Sequence, residues 1–162
     1  MADKDLLEGK RILLVDDEQD VLDSLEDLLP MCETVKASNF KAAQDLLKTE
    51  HFDMAILDIM GVKGFQLLEI ANQKEVTAVM LTAHALNPDT VVKSYKEGAA
   101  SYLPKEQMVN IASFLNDILE AKEQGKSTWT RWYDKLGSFF EKKFGENWQK
   151  DDPEFWKKFP FY

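Results

Sequence analysis

Cysteine, histidine and long apolar runs are scarce in this 162-residue sequence. The lone Cys32 rules out an internal disulfide and a zinc site built from several cysteines. No apolar run approaches the roughly 20 residues needed to cross a bilayer, so no membrane span is expected. The opening MADKDLLEGK lacks a basic-then-apolar signal pattern, and a cytoplasmic protein is therefore expected. A net charge of −9 speaks against a general nucleic-acid binder.

Charge and aromatic content are spread unevenly. Residues 126–162 carry 8 Lys+Arg against 6 Asp+Glu, whereas the preceding 125 residues carry 12 against 23. The same last 37 positions hold 12 of the 18 aromatic residues, including all four tryptophans. Two regions with different tasks are implied: an acidic domain and an aromatic extension.

The acidic region alternates short apolar runs with amphipathic stretches. RILLVDD (11–17), TVKAS (34–38), FDMAILD (52–58), VTAVMLT (76–82) and SYLPK (101–105) read as strands. Between them lie helical patterns. The first places Val21, Leu22, Leu25, Leu28 and Leu29 on one face and stops at Pro30. FKAAQDLLKTE (40–50) follows Asn39 or Ser38 as its cap, and FQLLEIANQ (65–73) is the third. Asn87-Pro88 opens the fourth, which Gly98 ends, and 106–122 forms the last. Five β/α units in series call for an α/β fold, a doubly wound parallel sheet with helices on both faces.

Ligands of such open sheets bind at the carboxyl ends of the strands, where the strand order reverses. Strand 1 ends on Asp16-Asp17, strand 3 on Asp58, strand 4 on Thr82 and strand 5 on Lys105. In a five-stranded, flavodoxin-like order 2-1-3-4-5, strands 1 and 3 are neighbours, and three carboxylates share one rim. Such carboxylates repel, so one takes up a proton or a cation joins them. A hard divalent ion with oxygen ligands, Mg²⁺ or Mn²⁺, fits that set. An ammonium at Lys105 and a hydroxyl at Thr82 complete a site able to accept a phosphoryl group, with a carboxylate as nucleophile.

From about residue 10 to 122 the chain resembles the receiver domain of bacterial two-component response regulators. The matching stretches are LLVDDE (13–18), AILD (55–58), MLTA (80–83) and GAASYLPK (98–105). The resemblance implies that Asp58 is the phosphoacceptor. It further implies that Asp16, Asp17, Asp58 and the main-chain carbonyl of Met60 hold the metal. Lys105 contacts the phosphoryl group, Thr82 and Tyr102 form a switch pair, and Met60 and His84 tune phosphoryl lifetime. Two features depart from the common pattern. The loop after Asp58, IMGVKG, is short and lacks proline, and Pro104 precedes Lys105 rather than following it.

After a polar linker at 123–128, Trp129, Trp132, Leu136 and Phe139 recur at helical spacing, with Tyr133, Phe140 and Phe144 flanking them and Gly145 ending the helix. Asp152-Pro153-Glu154 starts a second short helix carrying Phe155, Trp156 and Phe159. So short an extension has to cover its apolar faces with something. This domain or a second copy, another protein's groove and a membrane interface are the three covers; a net +2 speaks against the last.

The expected function is a phosphorylation-activated switch, loaded on Asp58 by a histidine kinase or phosphotransfer protein and acting through contacts with a downstream protein or as a homodimer. Its enzymatic activity is confined to loading and unloading its own aspartate. The alternative is a constitutive interaction or dimerisation module that keeps the pocket but is never phosphorylated.

Overall fold

The computed structural model describes residues 5–83 and 88–144. His84, the Asn87 cap, Gly145 and the second tail helix lie outside the described residues. Five strands form one parallel sheet: β1 (Arg11–Val15), β2 (Glu33–Ala37), β3 (Met54–Asp58), β4 (Thr77–Thr82) and β5 (Ser101–Pro104). Their order is β2-β1-β3-β4-β5, as the alternating pattern predicts. Strands β1, β3 and β4 bury nearly every side chain, because a parallel sheet is covered on both faces.

The crossovers are α1 (Gln19–Leu28), α2 (Phe40–Thr49), α3 (Gly64–Gln73) and α4 (Pro88–Lys96), followed by α5 (Ile111–Glu123). Right-handed crossovers put α1 and α5 on one face and α2 to α4 on the other, since the chain reverses direction after β2. Asn39 is the cap of α2, its side chain accepting from the Ala42 amide at 2.8 Å. Gly98, at φ +91, ends the turn after α4, a conformation that favours glycine.

The last crossover differs from the expectation of one helix over 106–122. Lys105–Asn110 forms a 3-10 helix, and α5 starts only at Ile111. None of the six residues of that first segment is buried, and Val109 is 70% exposed. The apolar stripe that holds an α-helix to the sheet begins at Ile111 and runs through Phe114, Leu115 and Ile118.

The two edges of the sheet are protected differently. Strand β2 carries exposed Glu33 and Lys36, charges that discourage pairing with another chain. Strand β5 is fully buried because a sixth helix, α6 (Thr130–Phe144), lies along it. Trp129 Nε1 donates to Ala99 O at 2.8 Å, Thr128 Oγ1 to Ala100 O at 2.8 Å, and Trp132 Nε1 to Tyr102 O at 2.7 Å. Ion pairs from Arg131 to Asp117 and Glu120, and from Lys135 to Asp117, fasten α6 to α5. On the other flank, Trp129 meets Tyr95 of α4 edge-on, with ring centroids 5.4 Å apart. Of the covers open to the first tail helix, this domain itself is therefore the one it uses.

Trp129, just before α6, continues into a buried stripe of Trp132, Leu136 and Phe140 on the helix, with Phe139 only half-buried. The spacing pointed to Phe139 instead. Residues 139 and 140 flank the stripe almost equally in a 3.6-residue helix, and Phe140 is the one whose side faces Tyr102, at 6.0 Å. At the other end of the domain, Leu7 is fully buried and the Leu6 amide donates to Asn116 Oδ1 of α5, so residues 5–9 pack into the same core. No described helix is long and apolar enough to cross a membrane.

Candidate functional site

Strands β1 and β3 pair in register from Ile12↔Met54 to Val15↔Leu57, so Asp16 and Asp58 emerge side by side at one rim. Asp58 ends its strand opposite Leu81, and Thr82 follows on β4 opposite Pro104 of β5. Lys105, the next residue, turns back over the acids. Its Nζ lies 2.7 Å from Asp16 Oδ2, 3.2 Å from Glu18 Oε1 and 3.7 Å from Asp58 Oδ1. Asp16, Asp58 and Thr82 are buried, whereas Asp17 and Glu18 are exposed at the mouth.

Asp58 is no helix cap. Its Oδ2 accepts from the Gly61 amide at 3.1 Å, whereas α3 starts at Gly64 behind Lys63, whose φ is +56. Asp16 Oδ1 accepts from the Glu18 amide at 2.9 Å. Asp16 Oδ2 is buried, and among the described ion pairs its charge is met by the Lys105 ammonium alone.

Burial of charge dominates the electrostatics. It pushes the Asp58 carboxyl above the ordinary aspartate range; the Asp16 charge adds to this, while Lys105 and the Gly61 amide oppose it. Burial raises Asp16 too, against its hydrogen bond and charge contact with Lys105. The Lys105 ammonium is lowered by burial, but its contacts with Asp16 and Asp58 more than reverse that and leave it above an ordinary lysine. The ammonium therefore stays charged through the neutral range.

A stability prediction follows from the two raised carboxyls. Between about 3.9, where an unfolded aspartate titrates, and its higher native value, the folded state binds more protons than the unfolded one. Stability is lost as pH rises through that window. In the absence of divalent metal, Asp58→Asn is expected to be more stable than the parent at neutral pH, with an advantage that shrinks as pH falls towards 4. Urea unfolding of both proteins across pH, in chelator, measures the difference; equal stability at neutral pH contradicts the expectation.

The carboxylates of Asp16, Asp17 and Glu18 lie within 4.8 Å of one another. This all-oxygen donor set fits a hard divalent cation. Glu18 was not among the residues expected from the sequence, although it closes the LLVDDE stretch; its side chain reaches Lys105 from a position two residues beyond Asp16.

A family model described as the response regulator receiver domain matches residues 12–116. The chain belongs to this family. Among curated relatives, it is 35% identical over 114 residues to the two-component response regulator ARR10 of Arabidopsis thaliana, a match covering 64% of this chain and 20% of that protein. It is 32% identical over 102 residues to the response regulator protein PilR of Pseudomonas aeruginosa, covering 59% of this chain and 23% of that one. The receiver thus matches about a fifth of each relative's length. Among solved structures, a CheY-like response regulator receiver domain protein from Methanospirillum hungatei JF-1 is similar at a TM-score of 0.65 and 26% identity, covering 73% of this chain and 99% of that one. Receivers of this family are signalling domains that interact with histidine kinases or phosphotransfer proteins, and they typically bind Mg²⁺ at the acidic cluster.

The short loop of this receiver has a steric role that spacing does not reveal. A Cβ on Gly61 would stand 2.3 Å from Asp17 Oδ1 and 2.4 Å from its Cγ. The clash is with the end of an exposed side chain, which can swing away. Gly61→Ala is therefore expected to leave stability nearly unchanged while displacing Asp17 from the acidic cluster. Mg²⁺ affinity should fall by about tenfold, the loss typical of disturbing a residue that orients a ligand. Calorimetric Mg²⁺ titration of the variant and parent checks this.

Proposed function

We propose that this receiver is a phosphorylation-activated signalling switch whose phosphoacceptor is Asp58. The supporting observation is the convergence of one buried carboxylate, an acidic cluster and a charged ammonium on a single rim of the sheet. The donor is a phosphohistidine on a histidine kinase or phosphotransfer protein, and a cytoplasmic location suits that encounter. An Asp58 carboxylate oxygen attacks phosphorus, the phosphorus–nitrogen bond breaks, and its electron pair leaves with the imidazole, which takes up a proton. Hydrolysis of the acyl phosphate by water returns Asp58 and inorganic phosphate.

Asp16, Asp17, Asp58 and the Met60 carbonyl would hold the Mg²⁺ or Mn²⁺ ion, with Glu18 beside them. When bound, the ion neutralises charge building on the transferring phosphoryl group. Lys105 supplies a fixed positive charge to phosphoryl oxygens, and Thr82 a hydroxyl. Thr82 and Tyr102 form the switch pair. Residues 10–122 carry the switch and 129–162 form an extension that acts through protein contacts. Incubation with Mg²⁺ and acetyl phosphate tests the reading: one phosphoryl group per chain supports it, no adduct favours a constitutive module, and continuous turnover of the donor favours a phosphatase.

Met60 and His84 are the lifetime-tuning positions of this proposal. Met60 is 73% exposed, two residues beyond Asp58, where its thioether shields the approach of water. Met60→Asn is expected to speed autodephosphorylation severalfold by exchanging that shield for a group that hydrogen-bonds water. Following the decay of phosphorylated protein after donor removal decides it; a rate no faster than the parent's contradicts the role.

A further inference from the structure

Strand β5 is held from two sides. At its end, Lys105 follows Pro104 directly and reaches the acids, 2.7 Å from Asp16 and 3.7 Å from Asp58. On its other side, Trp132 of α6 donates to the carbonyl of Tyr102, while Thr128 and Trp129, just before α6, donate to the carbonyls of Ala100 and Ala99, just before the strand. Tyr102 joins the two. It lies three residues before Lys105, its carbonyl accepts the Trp132 indole, its ring packs 6.0 Å from Phe140, and its hydroxyl is 3.0 Å from Thr90 Oγ1 of α4. The pocket therefore holds the residue that ends β5, and the tail holds Tyr102 within the strand and the two residues that lead into it.

We propose that α6 is a latch, seated on β5 while the Asp58 pocket is unphosphorylated and loosened when a phosphoryl group occupies it. This rests on the reading of Asp58 as phosphoacceptor and adds the regulation that the extension supplies. A phosphoryl group on Asp58 places negative charge beside Lys105 and draws the ammonium off Asp16, which displaces the end of β5. The tail is held to the domain by hydrogen bonds of 2.7–2.8 Å and by ring contacts from Trp129 to Tyr95 at 5.4 Å and from Phe140 to Tyr102 at 6.0 Å. Bonds of that length weaken steeply when their geometry shifts. Release uncovers the edge of β5 together with Trp129, Trp132, Leu136 and Phe140, an apolar surface of the kind that binds a partner. Coupling of this kind is reciprocal, so loosening α6 tightens binding in the pocket by the same factor.

The test uses the full chain with Mg²⁺ and beryllofluoride, a phosphoryl mimic. Fluorine NMR reports the bound mimic, and hydrogen exchange reports α6 amides within 131–144. Exchange in α6 is expected to accelerate about fivefold or more on binding, with β1 and β3 unchanged, and Asp58→Ala is expected to show neither effect. Arg131→Glu with Lys135→Glu reverses the exposed charges that fasten α6 to α5 and leaves the buried stripe intact. That double variant is expected to bind the mimic about fivefold more tightly than the parent. Bound mimic with unchanged or slower α6 exchange overturns the latch and leaves Asp58 as phosphoacceptor. Absence of any bound mimic in the parent overturns both.

Discussion

Lys105→Ala is expected to slow phosphoryl transfer to Asp58 by about 10²–10³-fold, the loss typical of deleting one preorganised group that stabilises transition-state charge. The Nζ sits 2.7 Å from Asp16 Oδ2 and 3.7 Å from Asp58 Oδ1, so a phosphoryl group on Asp58 meets a cation already in place. The raised pKa of Lys105 keeps that cation charged at neutral pH. Its removal also leaves Asp16 and Asp58 facing each other without their counter-charge, and both carboxyls should rise further. The metal-free variant should consequently lose stability more steeply than the parent as pH rises through the carboxylate range. Lys105→Arg, which restores the charge but not the compact ammonium, should recover part of the rate. Phosphorylation time courses with acetyl phosphate measure all three proteins, and an unimpaired Lys105→Ala would remove the lysine from the proposed chemistry.

Trp132→Ala carries the largest expected effect on structure. The indole is 2% exposed, donates to Tyr102 O at 2.7 Å and stacks on Phe140 at 5.4 Å and 30°. Truncating a buried tryptophan costs about 3–5 kcal/mol. Because α6 packs on the outside of a sheet that is complete without it, its own docking energy limits the damage. Release of α6 is expected, with its docking equilibrium constant reduced by about 10²–10⁴ and the five-stranded sheet intact. Hydrogen exchange separates the outcomes: fast exchange confined to α6 agrees with a peripheral helix, whereas global loss of protection in β1 and β3 shows that α6 is integral to the core.

The sheet was readable from the sequence because each strand is a buried apolar run and each crossover an amphipathic one. Both patterns depend on neighbours close in the chain. Asp16, Asp58, Thr82 and Lys105 were readable as a group because strand order alone carries their ends to one rim. What escaped detection depends on geometry between distant parts. The weak helical start at 105–110 looked like a continuation of α5, since Met108 and Val109 are apolar by type yet neither is buried. The choice between Phe139 and Phe140 was set by Tyr102, thirty-eight positions away from Phe140. Periodicity showed that the tail helix needs a cover but not that β5 supplies it. The space that Gly61 leaves for Asp17 arises from a loop fold that no spacing encodes.

Whether Asp58 accepts a phosphoryl group is decided by intact-mass measurement after incubation with Mg²⁺ and acetyl phosphate. One added phosphoryl group is expected, mapped to Asp58 and absent from Asp58→Ala. An unmodified parent chain, or an adduct that persists in Asp58→Ala, would contradict it.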